Sequence, residues 1–402
     1  MRKTSKILIT SIGYFPDSPS GGTRLAYDLA HGLAARGHVV TLLAQDAAGL
    51  GREREQDRNV TVLRYHVERR GPLEPTRASR HIRKIQEILR KYNESSVDII
   101  NGHDLLSYVA AVRFYNNRAV RHVYTAHSPA ALEMNIVWGD AGTLGAVKRL
   151  LGVPLTKRYE YESLKVSNAI TALSTFTYDC LEKLYGKEVL QDFAVIPGWV
   201  DTAMFVVNED QERLREELGL PLDVPILLSL RRLAPRMGLD NLLEAIRLLQ
   251  ESGYTFQVII GGQGPLQEKL EGMIQDTAIG DRVKMLGFVP EETLPKLYAA
   301  SDATVIPTRA LECFGIIALE SLACGKTTLV TPVGALSEVM NQFEPGWIAD
   351  NPEPAGIARL IMSYLDGELP EHNPQYLHNV VEERFSFEEA LDRYEWLLAK
   401  EK

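Results

Sequence analysis

The stretch DATVIPTRALECFGIIALESLACGKTTLVTP, residues 302–332, decides the fold class of this chain. It begins with a short apolar strand signal, DATVIP, and continues through a loop into a helical stretch over 315–324. A second apolar strand signal, TTLVTP, follows. This order is typical of two parallel strands that are joined by a crossover helix. The stretch therefore predicts a parallel α/β sheet.

The same alternation extends outward in both directions. Apolar strand signals alternate with amphipathic helices from 225 to 332, and a similar series begins at the N-terminus with KILITSI. A proline–glycine break at residues 197–198 separates the two series. Because each series has the strand and helix order of a doubly wound sheet, the sequence predicts two domains of that kind.

We therefore expect an α/β protein with two doubly wound Rossmann-like domains that face a central cleft. The N-terminal domain is predicted to contain residues 1–198 and a C-terminal helix, 386–402. The second domain contains residues 199–385, and in sheets of this kind ligands bind beyond the carboxyl ends of the strands.

Composition excludes several classes of protein. An apolar fraction of 45% and a charged fraction of 24% are typical of a soluble globular chain. No apolar run approaches the roughly 18 residues of a membrane-spanning helix. The 3 cysteines form no C-x-x-C pair and are too few for a disulfide scaffold, which favours a reducing, cytoplasmic location.

Charge is divided unevenly between the two halves. Residues 1–198 carry 27 Lys and Arg against 20 Asp and Glu, whereas residues 199–402 carry 17 against 33. A basic half joined to an acidic half indicates domains with different partners. The net charge of −9 argues against a general nucleic-acid binder.

Two glutamates flank the start of the helix in the opening stretch. Glu312 precedes Gly315, and Glu320 lies near the middle of the helix. A helix N-terminus presents free backbone N–H groups to an anion, and a glycine lets the ligand approach the backbone closely. The carboxylates can accept hydrogen bonds from sugar and ribose hydroxyls. For two glutamates alone, a helix N-terminal charge and a solvated face residue remain the simpler interpretation.

Arginines and glycines follow the first two strands of the second series. The segment SLRRLAPRMGL contains Arg231, Arg232 and Arg236, and guanidinium groups bind phosphate in a fork. Gly262 and Gly264 form a glycine-rich turn after FQVII that is not a dinucleotide fingerprint. Either group could instead be an ordinary surface feature.

The first half contains a glycine pair and strand-end histidines. Gly21 and Gly22 are predicted to lie in the loop before the first helix, where their amides can face a diphosphate. His103 and Asp104 end one strand, and His127 ends the next. Such histidines can hydrogen-bond a hydroxyl group, although a buried, satisfied histidine is the usual alternative.

The order of these motifs is similar to that of a known family. R-R-L-x-P-R-M-G is followed by G-G-x-G-P-L, L-G-F-V, P-x(4)-E-C-F-G, E-S-L-A-C-G and P-V-G-x-x-S-E. The chain resembles the retaining nucleotide-sugar glycosyltransferases of family four, which have the GT-B fold. The similarity extends over nearly the whole chain and is densest in the second half.

The resemblance implies an acceptor-side N-terminal domain, to which the C-terminal helix returns, a nucleotide-sugar-binding second domain, and roles for individual residues. The implied catalytic residues are His127, Arg232 and Glu312. The residues implied to bind the donor nucleotide sugar are Gly21, Gly22, Arg232, Arg236, Gly262, Gly264, Phe314, Gly315, Ile316, Ile317 and Glu320. Those implied to contact the acceptor are His103, Asp104 and His127.

The sequence departs from the family at one position that the resemblance makes important. The family has the pattern G-R-L-x-x-x-K-G, in which an arginine and a lysine contact the donor diphosphate. Arg232 matches the arginine, but Met237 stands where the lysine is expected. We expect its neighbour Arg236 to supply the second phosphate contact.

We therefore expect a retaining glycosyltransferase that moves a sugar from a nucleoside-diphosphate sugar to an unidentified acceptor hydroxyl. No D-x-D motif and no His/Cys cluster with zinc spacing is present in the sequence, so we expect no metal and no cofactor. G-x-S-x-G and P-loop motifs are also missing. A nucleotide-sugar epimerase, a phosphorylase and a non-catalytic sugar-binding protein remain as alternatives.

A basic segment of the chain has the pattern of a helix that binds to a membrane surface. Residues 64–91 contain nine Lys and Arg against three Glu, and Ile82, Ile85, Ile88 and Leu89 share one helical side. A basic amphipathic helix can rest on anionic lipid, peripheral to the inner face of the membrane. The alternative is a solvated helix whose apolar side packs on the sheet.

Overall fold

The computed structural model of the chain describes residues 4–18, 20–47, 49–68, 77–92, 96–116, 119–139, 142–208, 210–277 and 279–400. The chain forms two compact units. Unit 1 contains Met1–Pro197 and Ala390–Lys402, and unit 2 contains Gly198–Glu389. The division lies one residue before the predicted boundary, and the C-terminal segment joins unit 1 four residues later than predicted.

Unit 1 is built on an eight-stranded sheet. Its strands are β1 (Lys6–Ser11), β2 (Val39–Gln45), β3 (Arg54–Asp57), β4 (Val60–Tyr65), β5 (Ile99–Gly102), β6 (Arg121–Ala126), β7 (Ala169–Ala172) and β8 (Phe193–Val195). The order is β3-β4-β2-β1-β5-β6-β7-β8, and every pair is parallel except β3–β4. Because the chain winds outward from β1 in both directions, the topological switch point lies between β1 and β5.

Helices connect the parallel strands of unit 1. They are α1 (Gly21–Ala35), α2 (Arg77–Lys91), α3 (Leu105–Tyr115), α4 (Ala130–Gly139), α5 (Gly142–Val166) and α6 (Thr175–Tyr185). The crossover helices cover the sheet, so the strands are buried as continuous apolar runs rather than alternating ones.

The apolar side of α2 belongs to the core of unit 1. Ile82, Ile85, Ile88 and Leu89 are buried in one cluster with residues of the central strands. This confirms the alternative interpretation, in which the apolar side packs on the sheet, whereas a contact of the basic residues with lipid stays a prediction. Arg69, Arg70 and Glu74, which belong to the same basic segment, lie outside the described residues. No described helix is long and apolar enough to span a membrane.

Unit 2 contains a five-stranded, entirely parallel sheet. Its strands are β9 (Ile226–Leu230), β10 (Gln257–Gly261), β11 (Val283–Gly287), β12 (Ala303–Ile306) and β13 (Thr327–Val330). The order is β11-β10-β9-β12-β13, which confirms the predicted doubly wound sheet. The switch point lies between β9 and β12.

Eight helices of the described chain accompany this sheet. They are α7 (Gln211–Leu218), α8 (Leu239–Glu251), α9 (Gln267–Asp276), α10 (Leu294–Ala300), α11 (Ile316–Ala323), α12 (Ala335–Met340), α13 (Pro354–Leu365) and α14 (Pro374–Phe385). The last helix, α15 (Phe387–Ala399), enters unit 1 at Ala390. There Glu395 forms an ion pair with Arg36 (Nη1–Oε2 2.8 Å), and Tyr394 is buried.

Candidate functional site

The candidate site of unit 2 lies where β9 and β12 end. Arg231 and Arg232 directly follow β9, and Glu312 lies in the loop between β12 and α11. Arg231 is buried whereas Arg232 is exposed. Successive residues of an extended segment point to opposite sides, so only one of two adjacent arginines can enter the interior.

Arg231 forms a buried ion pair with Glu312. Its Nη2 lies 2.6 Å from Oε2 of Glu312, and its Nη1 donates to the hydroxyl of Thr308 at 2.7 Å. The Thr308 hydroxyl in turn donates to the same carboxylate oxygen at 3.1 Å. Oε1 of Glu312 has no hydrogen-bond partner among the described residues. One oxygen therefore anchors the carboxylate and the other is available to a ligand.

The guanidinium of Arg231 is incompletely satisfied. Burial lowers the pKa of Arg231, and the adjacent Glu312 carboxylate opposes that change. A guanidinium nevertheless remains charged at physiological pH. Its Nη2 also lies 3.0 Å from the sulfur of Met237, while the buried Nε has no partner in the part of the chain that the structure describes.

The loops after β9 and β12 are tied together by Arg236. Its Nη1 donates to the carbonyl of Leu311 at 2.7 Å, and its own carbonyl accepts from the backbone N–H of Arg309 at 2.9 Å. Leu311 has a φ of 53°, a left-handed conformation that costs a leucine roughly 1–3 kcal/mol. This strained residue directly precedes Glu312, so Arg236 stabilises the backbone that presents the carboxylate.

Glycines allow these loops to pack against one another. Gly262 (φ 137°) lies against the carbonyl of Arg231, and Gly334 (φ 64°) lies against the carbonyl of Glu312. A Cβ at either position would overlap that carbonyl oxygen. Gly264 similarly approaches the carbonyl of Leu233. The glycine-rich turn predicted to border the donor therefore supports the backbone of the arginine segment.

The start of α11 presents backbone N–H groups next to Glu312. Gly315 is its N-cap, with a φ of 90° and no side-chain capping bond. Ile316 and Ile317, the first residues of the helix, are half-buried, whereas Phe314 is buried and packs its ring against Phe385. The first amides of such a helix can bind an anion or a polarised hydroxyl group.

Glu320 lies one turn further along α11 and is oriented by a buried tyrosine. The hydroxyl of Tyr298 donates to Oε2 of Glu320 at 2.8 Å. Burial, together with the Glu320 carboxylate, raises the pKa of Tyr298 well above its ordinary value. The phenol therefore stays protonated and holds the half-buried carboxylate in one orientation.

Replacing Glu320 by glutamine is expected to weaken binding of the free nucleoside diphosphate by about tenfold, the effect of losing one charge-assisted hydrogen bond to a ribose hydroxyl. Isothermal titration of wild type and variant measures this. Tyr298→Phe, which keeps the carboxylate but removes its orienting donor, should give a smaller loss. Equal affinities for Glu320→Gln and wild type would contradict the ribose assignment.

In unit 1, Gly21 and Gly22 lie at the start of α1 and not in the loop before it. Ser20 caps this helix: its side chain accepts from the N–H of Thr23, and the Thr23 hydroxyl accepts from the N–H of Ser20. Because of this reciprocal cap the helix begins at Gly21, so both glycines predicted to lie in the loop are inside it. The two glycine amides thus belong to the first turn, where they have no intrahelical acceptor.

Gly22 also brings the helix next to His127. A Cβ at Gly22 would lie 3.5 Å from Cδ2 of that imidazole. His127 and His103 follow β6 and β5, and Nε2 of His127 lies 2.9 Å from Nδ1 of His103. The structure therefore brings together three of the predicted residues. Asp104 instead caps α3 through the N–H of Ser107 at 2.9 Å.

A chain of hydrogen bonds fixes the protonation of this histidine pair. Nδ2 of Asn101 donates to the carbonyl of Val123 and to the hydroxyl of Thr125, so its Oδ1 must accept from Nε2 of His103 (2.8 Å). His103 then accepts at Nδ1 from Nε2 of His127. Nδ1 of His127 is left as an unprotonated acceptor, buried and without a partner among the described residues.

Both imidazoles are held neutral. Burial lowers the pKa of His127 to about 4, from an ordinary value of 6.5. Burial, and then the neighbouring His127, lowers the pKa of His103 well below its ordinary value. Because a proton on either ring would place a positive charge in the interior, the pair acts as a hydrogen-bonding group and not as a cation.

Unit 1 should lose stability in mild acid. Since the pKa of each histidine is lower in the folded chain, the unfolded chain binds protons more readily below pH 6.5. The free energy of unfolding is then unaffected well above that pH and falls as the pH decreases. By about pH 5, His127 alone should cost about 2 kcal/mol.

Urea unfolding of wild type and His127→Gln at about pH 7.5 and about pH 5 measures this dependence. The variant, which lacks one titrating group, should show the smaller loss of unfolding free energy between the two conditions. Identical losses would mean that His127 does not change its proton affinity on folding.

Family models of known proteins match both units. A model described as "Glycosyltransferase Family 4" matches residues 19–204, and one described as "Glycosyl transferases group 1" matches residues 210–380. The D-inositol 3-phosphate glycosyltransferase of Acidothermus cellulolyticus is 33% identical over 282 residues. That alignment covers 68% of this chain and 60% of the relative, which is less than two thirds of its length.

Solved structures share the fold over almost the whole chain. Sucrose-phosphate synthase from Thermosynechococcus elongatus is similar with a TM-score of 0.81 and 20% identity, and 98% of each chain is covered. HepE from Anabaena, in complex with UDP and glucose, has a TM-score of 0.76 at 18% identity, with 99% of this chain and 100% of that chain covered. With the two family matches, these findings show that the chain belongs to the family 4 glycosyltransferases, which have the GT-B fold.

Proposed function

We propose that this glycosyltransferase transfers a sugar from a nucleoside-diphosphate sugar to an acceptor hydroxyl, with retention of anomeric configuration and without a metal. The observation that carries the proposal is the Glu312 carboxylate. One of its oxygens is anchored by Arg231 and Thr308 and the other is available to a ligand. It stands beside the amides that start α11, where an anion binds.

Unit 2 binds the donor in this proposal. Glu312 accepts a hydrogen bond from the donor sugar and Glu320 one from the ribose. The diphosphate lies against Arg232, which is exposed and directly follows β9. The HepE structure, which has the same fold, is described as a complex with UDP and glucose.

The chemical step requires stabilisation of the departing diphosphate. The bond between the anomeric carbon and the diphosphate oxygen breaks, and the new bond to the acceptor oxygen forms on the same face of the sugar. The acceptor proton passes to an oxygen of the departing diphosphate. Negative charge develops on that group, so fixed cations and helix amides lower the barrier without a side-chain nucleophile.

Unit 1 binds the acceptor in this proposal. The uncharged His127, with its Nδ1 free to accept, suits a hydroxyl donor. A separate cavity of about 500 Å³, whose lining does not include His127, lies beyond the ends of β2 and β4 and is within the size range of ligand pockets. Its charged lining residues are Arg52, Arg64, Arg80, Arg83, Lys84, Asp46, Glu53, Glu68 and Glu87.

A phosphorylated polyol or sugar is the proposed class of acceptor, because arginine and lysine bind phosphate; it would compete for Arg64 and Lys84 with Glu55 and Glu87, which pair with them in the structure. The name of the Acidothermus relative, a D-inositol 3-phosphate glycosyltransferase, supports the same class. Inositol phosphates and hexose phosphates are therefore the first acceptors to test, each against its unphosphorylated parent.

The test begins with a thermal-shift panel of nucleoside diphosphates and their sugars, since a ligand at 100 times its Kd stabilises the fold by about 2.7 kcal/mol. The donor that binds is then incubated with the acceptor panel in excess chelator. NMR of the product reads the anomeric configuration. Transfer with retention in chelator supports the proposal, whereas an inverted product or activity that returns only with Mg²⁺ or Mn²⁺ contradicts it.

The same incubations separate the alternatives. A nucleotide-sugar epimerase would change the donor sugar without consuming an acceptor, and a phosphorylase would require inorganic phosphate. A non-catalytic sugar-binding protein would show the thermal shift and no product.

A further inference from the structure

The environment of Met237 identifies a cation to which the sequence gave no individual role. Met237 is buried and occupies the position at which the resembled family has a lysine. The guanidinium next to its sulfur belongs to Arg231, with Nη2 at 3.0 Å. Arg236, the expected substitute, instead directs its Nη1 to the carbonyl of Leu311.

We propose that Arg231 supplies, from the end of β9, the cationic donor to the leaving diphosphate that Met237 cannot supply. In the same position it orients Glu312. This inference rests on the proposed function, because it requires a nucleoside-diphosphate donor in unit 2. Arg231 is thus both a binding residue for the donor and a positioning residue for the carboxylate.

The unused hydrogen-bonding capacity of Arg231 points to a ligand. Its Nη1 is taken by Thr308 and its Nη2 by Glu312, but the buried Nε has no partner among the described residues. A buried donor without an acceptor is unfavourable. An anionic oxygen of the diphosphate would satisfy it while the two terminal nitrogens keep hold of the threonine and the carboxylate.

Arg215, a second buried arginine of unit 2, has a purely structural role and serves as a comparison for Arg231. Nε of Arg215 donates to the carbonyl of Ala300 at 2.9 Å, and its Nη2 pairs with Asp302 at 2.6 Å. Asp302 precedes β12, at the amino end of the sheet, whereas ligands bind at the carboxyl ends. Arg215 therefore has no unused Nε and lies at the wrong end of the sheet, which makes it a matched control.

The test removes the cation at position 231 and then introduces a lysine at position 237, where the resembled family has one. Arg231→Ala should lower kcat/KM by about 100-fold or more and the affinity for the nucleoside diphosphate by about tenfold, as expected for a lost cationic donor. Adding Met237→Lys to that variant should recover about tenfold or more of kcat/KM, because the ammonium reaches the space beside Glu312. A side chain that serves only packing would not be rescued in this way.

Two further variants make the result decisive. Arg231→Lys, which keeps the charge but lacks an Nε donor, should fold and still bind the diphosphate more weakly than wild type. Arg215→Ala should lower the melting temperature and leave the kcat/KM of the folded enzyme within about threefold, as expected away from the site. Circular dichroism establishes the folded fraction of each variant.

Failure of the inference is distinct from failure of the proposed function. If wild type binds a nucleoside diphosphate but Arg231→Lys binds it equally well and Met237→Lys gives no rescue, Arg231 is a structural residue and the inference is overturned. If wild type binds no nucleoside diphosphate in the thermal-shift panel, the proposed function fails and the inference fails with it.

Discussion

Replacing Glu312 by glutamine is expected to lower kcat by about 100-fold or more, because the donor sugar loses the carboxylate proposed to position it, and a small misplacement of reacting groups can cost about that much. The affinity for the free nucleoside diphosphate should stay within about twofold if, as proposed, the carboxylate binds the sugar and not the nucleotide. Glutamine keeps the size of the side chain and removes its charge. Steady-state kinetics and isothermal titration measure the two effects separately.

The second carboxylate, Glu320 on α11, provides the control for the Glu312 experiment. Glu320→Gln should show the opposite pattern, with weaker nucleotide binding, because that carboxylate, which Tyr298 holds in place, is the one proposed to bind the ribose. Loss of the Glu312 charge also leaves the Arg231 guanidinium without its ion-pair partner, so the melting temperature should decrease. A Glu312→Gln enzyme with kcat within about fivefold of wild type would remove Glu312 from the chemical step.

Gly262→Ala is expected to reduce the free energy of unfolding of unit 2 by about 3 kcal/mol or more, since overlap with backbone in a rigid loop is among the most destabilising changes. Gly262 has a φ of 137°, and an added Cβ would overlap the carbonyl oxygen of Arg231. The substitution should also displace Arg231 and thereby weaken donor binding. Urea unfolding and nucleotide titration detect these two consequences.

Gly253→Ala is the matched comparison. Gly253 also has a positive φ, 86°, but a Cβ there would meet no atom within 4 Å. Only the conformational strain of an alanine remains, about 1 kcal/mol. If both alanine variants lose the same stability, backbone strain alone explains the requirement for glycine, and the contact with Arg231 contributes nothing.

The sequence predicted the parts of this molecule that depend on strong local patterns. Buried parallel strands are continuous apolar runs. The sequence therefore predicts both doubly wound sheets and the position of Glu312 between β12 and α11. The edge strand β3 was missed because REQD contains no apolar residue and is largely exposed. The reciprocal cap of α1 was missed because a serine and a threonine, without a glutamate, carry it.

Two points that the sequence left open depend on tertiary structure. The sequence does not indicate which of two adjacent arginines enters the interior, so Arg231 was one of three candidate phosphate ligands without an individual role, and its contacts with Glu312 and Met237 are visible only in the structure. Likewise the basic amphipathic pattern of α2 is the same whether sheet or lipid covers its apolar side, and only the structure shows the sheet. The roles given to the site residues, including Arg232, Glu312, Glu320 and His127, stay predictions.

The hydrogen-bonded chain from Asn101 to His127 also bears on the chemical ageing of the protein. Asn101 is the one asparagine in this sequence that is followed directly by glycine, a pair that deamidates readily in flexible chains. Here Gly102 is paired with Thr10 and Tyr124 in the sheet, and the asparagine side chain is buried and held on both ends. Unfolding would release that restraint. Deamidation would then replace the amide of Asn101 by a carboxylate beside His103. In a refolded chain this negative charge would stabilise a protonated histidine, whereas the native histidine pair is neutral.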